Sequence, residues 1–284
     1  MKRLCLAMTL LALPVVFIGS ASAQQTFDHY LCYFAPNQPV LQIPFQLRDQ
    51  FDIDFFETMS QAQIMRFCTP VQKVLRDAAG NITQTFPIVN AAGHMTLWQF
   101  NPQPIIPKQV VSNNQFGTQT LFISDPRVLA MPTGKALPPK AAPAPPLNLD
   151  HYKCYVTSGP NANVTVWLSD QFITNVKFNV LQPVLFCNPT TKLRPSTVPG
   201  TPTASTTAIQ FPNNHLTCYA ITPFSFGTNA NINNQFVVQN LAFNTPDMLC
   251  APTTILKLST VPTPTAPPTS ATMRSSGRRQ ANRP

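Results

Sequence analysis

The sequence predicts an all-β protein with two tandem small domains, each a β-barrel or β-sandwich built from two pseudo-symmetric three-strand halves. Three observations support this fold class. One motif recurs four times in the 284 residues. Apolar and polar residues alternate within the copies with the period of a strand. Only 10% of the residues are charged, and low charge with many Asn, Gln, Thr, Pro, Phe and Val is typical of an extracytoplasmic β protein.

The first 23 residues have the layout of a secretory signal peptide. Lys2 and Arg3 precede an apolar run over residues 4–18, and Ala21-Ser22-Ala23 forms a small-residue cleavage site. The run is too short to span a membrane stably. We therefore expect residues 1–23 to be removed and the protein to be secreted or periplasmic.

Four copies of one unit organise the rest of the chain. Copy three contains DHYKCY, then LSDQF, then LFCNPTTK, and the other copies carry recognisable versions of each segment. The copies span residues 28–73, 93–135, 150–192 and 214–257. The histidines of the chain hold the same place in each copy: His29, His94, His151 and His215.

The similarity between copies predicts the domain boundaries. Copies one and three match best, as do copies two and four, which favours one domain over residues 24–135 and another over 148–257. Residues 136–147 are rich in Pro and Ala and are expected to form an extended, semi-rigid linker. Residues 258–284 have little to bury and an Arg-rich end, which predicts a disordered basic tail.

Three strands are expected in each copy. In copy three, VTVWLSDQF places Val164, Val166 and Leu168 on one face. In three copies the third segment carries a proline four residues before the final Cys or Ala, which predicts an edge or a bulge. These prolines are Pro126, Pro183 and Pro246. In copy one, ETMSQAQIMRF alone has a helical pattern, but comparison with the other copies predicts a strand.

The cysteines that follow the leader are expected to form three disulfides. Copy two lacks both of its cysteines, with Leu97 and Ala130 in their places, as expected if each copy pairs its own two. The predicted bonds are Cys32–Cys68, Cys154–Cys187 and Cys218–Cys250. Each bond closes a loop, and on the chain-entropy model this stabilises the folded protein by about 3–4 kcal/mol. A metal site at His-x-x-Cys is the rival, but residues three apart on a strand face opposite sides, so we predict no metal and no other cofactor.

The repeated polar residues have a structural and a functional interpretation. Asp-His at 28–29 and 150–151 could supply half of an acid–base pair, or each His could bond a neighbouring backbone. The Asp/Asn-Gln-Phe segments suit strand ends entering a turn, or Gln side chains lining a shared pocket. The candidate binding residues are His29, His151, Gln50, Gln171 and Trp167. No catalytic residue is assigned.

The lysines near the ends of the copies also have two interpretations. A lysine at a strand exit usually guards a solvated edge, but four of them could present a cationic ring to an acidic partner. These residues are Lys73, Lys135, Lys192 and Lys257.

The motif combination resembles a known family. DHYKCY, DQF and LFCNPTTK in one copy, with NHLTCY, NNQF and LCAP followed by Lys in another, are similar to exported bacterial proteins whose domain has no known function and often occurs in tandem. The resemblance covers nearly all of residues 27–257. It implies secretion and a β-rich, disulfide-bonded domain, and it implies no catalytic residue.

These observations favour a non-enzymatic exported bacterial protein that serves binding, adhesion or envelope structure. The basis is that structural residues repeat without an asymmetric polar cluster, and that nucleophile and phosphate-binding motifs are absent. The alternative is a secreted hydrolase or carbohydrate-active module that uses a repeated His/Asp site. An envelope or extracellular ligand is expected, and the basic tail could contact anionic surfaces. Nucleic acid is not expected, because Lys and Arg cluster only in that tail.

Overall fold

The computed structural model describes residues 27–52, 57–101, 104–194 and 205–260. This part of the chain is all-β, without a helix, and its fifteen strands form one antiparallel sheet. The strands are β1 (His29–Phe34), β2 (Val40–Arg48), β3 (Glu57–Arg76), β4 (Ile82–Phe86), β5 (His94–Phe100), β6 (Lys108–Asn114), β7 (Gly117–Ala136), β8 (His151–Ser158), β9 (Val164–Ser169), β10 (Val176–Arg194), β11 (Ser205–Thr207), β12 (His215–Ile221), β13 (Gly227–Asn233), β14 (Val238–Asn244) and β15 (Pro246–Thr260).

Eight of these strands pair in a closed cycle, which we call the strand ring. The first strand of each copy lies between the third strand of its own copy and the third strand of the preceding copy. The order is β1, β3, β5, β7, β8, β10, β12 and β15, and β15 pairs with β1 to close the cycle. The first and last strands of the described residues are therefore neighbours.

The second strand of each copy joins opposite sides of the strand ring. Strand β2 pairs with β3 of its own copy and also with β10 of copy three. Strand β9, the second strand of copy three, pairs in the same way with β10 of its own copy and with β3 of copy one. Copies two and four are joined in the same way through β6 and β13. Every copy is thus hydrogen-bonded to the copy two places away as well as to its neighbours.

The third strands have irregular pairing where the sequence predicts a bulge. The register shifts on both sides of Pro126 and on both sides of Pro183, and it shifts again where Pro246 meets β1. In copy one the shift occurs between Ile64 and Arg66 without a proline. Residues 57–67 are a strand, so the comparison between copies correctly overrode the local helical pattern.

The two faces of the strand ring are both apolar. One face contributes to a cluster with residues from all eight strands, and this cluster contains the three disulfides together with Leu97 and Ala130. It therefore lines the axis of the ring. Alternate residues such as Leu31, Tyr33 and Phe67 face the other way and pack beneath the second strands in the largest core cluster. Nearly continuous burial of strands such as β1 follows from these two covered faces.

The division into two tandem domains is not confirmed, because one sheet runs through both predicted halves. Strand β7 pairs with β8, and β15 pairs with β1. The predicted linker, residues 136–147, packs on the sheet: Asn231 Nδ2 donates to Lys140 O at 2.8 Å. Residues 258–260 belong to β15, although the sequence places them in the tail. The predicted signal peptide, 1–23, and residues 261–284 of the tail lie outside the described residues.

Candidate functional site

The cysteines and the residues that replace them form one layer at the axis of the strand ring. The sulfur atoms of the three expected pairs are 2.03, 2.06 and 2.01 Å apart. In copy two, Leu97 and Ala130 are direct partners in the β5–β7 register, so an apolar pair occupies the fourth position. With both thiols of each pair bonded to each other, the His-x-x-Cys segments do not offer free thiolates to a metal.

The Asp or Asn before each Gln-Phe pair folds the turn that follows the second strand. In copy three, Asp170 Oδ1 accepts the backbone N–H groups of Phe172 at 2.7 Å and Ile173 at 3.0 Å. Its other carboxylate oxygen accepts the hydroxyl of Tyr33, from copy one, at 2.8 Å. The corresponding residues, Asp49, Asn114 and Asn234, likewise join a backbone turn to the copy two places away. The turn interpretation is confirmed, and the same side chain links opposite copies.

The histidines begin the first strands and are buried, with 0 to 6% of their surface exposed. Three of them lie close to the lysine of their own copy, and the glutamine of the next copy completes each group. The groups are His29 with Lys73 and Gln115, His94 with Lys135 and Gln171, and His151 with Lys192 and Gln235. Copy four differs because Ile255 occupies the lysine position, and Lys257 follows a register shift and is exposed.

Burial controls the protonation of these groups. It lowers the pKa of His151 and of His94 to about 3, with Lys192 and Lys135 respectively as the next cause. It also lowers the pKa of Lys73 to about 6. The Lys73 Nζ lies 4.0 Å from the centroid of the Phe86 ring and has no hydrogen-bond partner within the described part of the chain. The solvated-edge interpretation is therefore wrong for Lys73, which is fully buried.

The five predicted binding residues do not share one site. His29 and His151 belong to different groups, each with the glutamine of the following copy. Gln50 donates to Asn188 Oδ1 at 3.0 Å, and Gln171 accepts from Lys135. Trp167 is half-buried on β9, elsewhere on the sheet, with the Arg76 guanidinium 5.4 Å from its ring centroid.

The aspartates that precede two of the histidines have backbone partners. Asp28 accepts the N–H groups of Val89 at 2.6 Å and Asn90 at 2.9 Å. Asp150 accepts two N–H groups in the equivalent loop of the second half, both at 2.8 Å. These carboxylates hold the loop that leads into the next first strand, which gives the two aspartates a structural role.

An asymmetric polar cluster lies between copies one and three. Lys153 stands where the other copies have Leu or Thr, and its Nζ forms a buried ion pair with Asp52. Asp49 accepts the hydroxyl of Tyr155 at 2.9 Å and Nδ2 of Asn188 at 3.0 Å. Burial raises the pKa of Asp49, and Lys153 opposes that shift. The structure thus contradicts the sequence premise that no such cluster exists, but every polar group named here already has a partner.

A cavity of about 490 Å³ opens at the end of the strand ring away from the histidines. Residues from β3, β5, β7, β8, β10, β12 and β15 line it, so all four copies contribute. We call this cavity the axial pocket. Its apolar wall includes Met65, Val128, Val184, Leu185 and Met248.

Charged groups stand in the axial pocket beside this apolar wall. The guanidinium of Arg66 binds the carboxylate of Asp247 through two bonds, Nε to Oδ1 at 2.8 Å and Nη2 to Oδ2 at 2.7 Å. This pair is mutually neutralised. Arg127 also lines the axial pocket, and its side chain is exposed. The axial pocket therefore carries one net positive charge next to apolar surface.

Sequence reasoning missed the axial pocket, although the copies contain a signal for it. In each copy, two residues come directly before the final (Leu/Phe)-(Cys/Ala) pair. The identities of these two residues differ from copy to copy. They are Met65-Arg66, Arg127-Val128, Val184-Leu185 and Asp247-Met248. All eight line the axial pocket. Positions that vary between otherwise similar copies mark the asymmetric site.

Comparison with known protein families matches residues 94–252 to DUF7450, described as a repeat of unknown function. The match covers more than half of the 284 residues. The chain belongs to this family. The matched region begins at the first residue of β5 and continues through copies two, three and four, across the predicted linker. Comparison with curated proteins and with solved structures found no match.

Three further observations concern the cellular environment and the possible ligands of this DUF7450 protein. Three intramolecular disulfides indicate an oxidising environment, extracellular or periplasmic. No helix among the described residues has the length and hydrophobicity to cross a membrane. In the same residues, no three His, Cys, Asp or Glu side chains come together as a metal site would require.

Proposed function

We propose that the protein is a non-enzymatic, exported bacterial binding protein that holds a small amphipathic anion in the axial pocket. This proposal rests on a contrast between the residues that repeat in the copies and the residues that line the axial pocket. The disulfide layer, the turns and the buried histidines recur around the strand ring, whereas the paired pocket residues differ in all four copies. A repeated module supplies the frame, and the variable positions supply the specificity.

The chemistry of the axial pocket supports this ligand class. A volume of about 490 Å³ lies within the range of small-molecule sites, roughly 300–1,000 Å³. The apolar wall favours a hydrocarbon chain or ring, because its burial removes apolar surface from water. Since Arg66 and Asp247 neutralise each other, Arg127 is left to attract an anionic head group.

The predicted signal peptide over residues 1–23 and the three disulfides support export in this proposal. The ligand would then be an extracellular or envelope molecule. The strand ring would act as one barrel-like container formed by all four copies, and the basic tail, residues 261–284, would hold the protein near anionic surfaces. The hydrolase alternative has less support, because Asp28 and Asp150 are engaged by backbone N–H groups.

The test is isothermal titration calorimetry of the oxidised protein with decanoate and with decan-1-ol. Loss of a charge-assisted hydrogen bond costs about 1.5–3 kcal/mol, so we expect Arg127→Gln to weaken decanoate binding roughly 10- to 100-fold. Decan-1-ol binding should change little. Lys257→Gln removes the same charge from an exposed position outside the axial pocket and should bind decanoate like the wild type.

A second variant tests the location independently of charge. Val184→Trp would fill the axial pocket and should abolish binding of both ligands while the melting temperature shows that the protein is folded. Equal decanoate affinity in the wild type and Arg127→Gln would reject the proposal, as would retained binding in Val184→Trp.

A further inference from the structure

A second cavity, of about 220 Å³, lies beneath residues 136–147, the segment that we call the strap. Pro145 and Pro146 of the strap form part of its wall, and Leu149 adds further apolar surface. The polar lining residues include His151, Thr207 and Gln235. His151 opens β8, so this cavity lies at the end of the strand ring opposite the axial pocket.

The strap is fastened to the sheet at several points. Asn231 Nδ2 donates to Lys140 O at 2.8 Å, and Gln210 Nε2 donates to Leu147 O at 2.6 Å. Between these bonds, a Cβ added to Gly134 would clash with the carbonyl oxygen of Pro143. Glycine at this position lets the strap approach the backbone of β7 closely. The roof of the cavity is therefore held in place.

His151 is the informative side chain in this cavity. Only 3% of its surface is exposed, and apart from Gln235, whose side chain lies beside the ring and already accepts from Lys192, its ring nitrogens have no hydrogen-bond partner among the described residues. Buried polar groups are almost always hydrogen-bonded, because an unpaired one costs about 1–3 kcal/mol. Burial lowers the pKa of His151 to about 3, so at neutral pH one ring nitrogen is a donor and the other an acceptor.

The cationic group nearest to His151 is already engaged. Lys192 Nζ donates to Gln235 Oε1, the side chain that lies beside the imidazole. The residues that line the cavity carry no carboxylate, ammonium or guanidinium group. A charged ligand would lose its hydration without gaining an ionic partner, whereas a neutral ligand would not.

We propose that the cavity beneath the strap is a binding site for a small neutral molecule with a hydroxyl group on an apolar ring, of the phenol class. The ring packs against Pro145, Pro146 and Leu149, and the hydroxyl exchanges a hydrogen bond with the imidazole of His151. This site is independent of the axial pocket, and its ligand differs in charge and in size.

The experiment uses phenol as the probe and the oxidised full chain as the protein. Binding is measured by calorimetry and by the shift of the His151 ring proton signals in NMR spectra. His151→Phe removes both ring nitrogens and should weaken phenol binding about tenfold, as expected for loss of one or two hydrogen bonds. His215→Phe changes the same position of copy four, which does not line this cavity, and should bind phenol like the wild type.

Thr207→Trp provides a second variant in case His151→Phe fails to fold. Thr207 is half-buried on the short strand β11, so an indole there fills the cavity from its margin and should prevent phenol binding without disturbing the core. Wild-type protein that does not bind phenol would overturn the proposal. Equal weakening by His151→Phe and His215→Phe would also overturn it, because the effect would then come from general destabilisation. Arg127→Gln should leave phenol binding unchanged, which separates this result from the axial-pocket test.

Discussion

The clearest test of the repeated architecture is to give copy four the apolar pair of copy two. Cys218 and Cys250 are register partners in β12 and β15, as Leu97 and Ala130 are in β5 and β7. Both pairs belong to the cluster at the axis of the strand ring. The double change Cys218→Leu with Cys250→Ala should therefore fold into the same structure but with lower stability.

The expected loss of stability has two contributions, the closed loop and the buried apolar volume. The bond joins residues with a sequence separation of 32, and closing a loop of that length stabilises by about 3–4 kcal/mol on the chain-entropy model. The Leu side chain restores most of the buried apolar volume. Replacing both cysteines by Ala instead leaves that volume empty, which adds about 2 kcal/mol of destabilisation. We expect the order wild type, Leu/Ala, Ala/Ala.

The assay is urea unfolding of the oxidised proteins, followed by tryptophan fluorescence and by far-ultraviolet circular dichroism. The closed loops of the other two disulfides do not overlap this one in sequence, so their contributions should be unchanged. Agreement between the two probes checks that unfolding is two-state. If the Leu/Ala protein is less stable than the Ala/Ala protein, the two positions do not share one kind of environment and the reasoning fails.

Three further predictions concern buried groups and the strap. Lys73→Met should raise the free energy of unfolding at pH 7 by about 2–4 kcal/mol, because the buried amine loses its proton on folding; Lys257→Met, at an exposed position, should change it little, and a destabilised Lys73→Met would count against this interpretation. Burial lowers the pKa of the histidines, in three of the four to about 3 or about 4, so below pH 6.5 the unfolded chain binds protons that the folded chain does not. Stability should therefore fall from pH 6.5 towards pH 4 by about 1.4 kcal/mol per pH unit for each histidine, and a flat profile in urea titrations would contradict it. Gly134→Ala should lower stability by about 1–3 kcal/mol through its clash with Pro143, whereas Gly227→Ala meets no atom within 4 Å and serves as the control in thermal unfolding.

Comparison between copies predicts the local features well. The cysteine pairing, the bulges at the prolines and the Asx turns each depend on residues that recur at fixed spacing. In each case one copy tests the interpretation of another: Leu97 and Ala130 show that the cysteines act as a pair, and the strand pattern of copy three corrects the helical pattern of residues 57–67.

The same comparison predicts the site poorly, because burial depends on what packs on top. Lys73 is buried by Phe86 and Phe116, which follow it by 13 or more positions in sequence. The axial pocket likewise exists only where four variable residue pairs meet at one end of the strand ring. His29 and His151 are placed correctly in the repeat, but the sequence does not show that the glutamine beside each comes from the following copy.

What the sequence by itself determined is the repeated β unit, its strand content and its internal covalent bonds, since these follow from local spacing and from the period of the strands. The tertiary structure decided which copies pair. Two separate domains and one closed ring satisfy the same alternation of apolar residues along each strand. Two open halves leave edge strands with unpaired backbone groups, whereas pairing β7 with β8 and β15 with β1 leaves no edge among the eight ring strands.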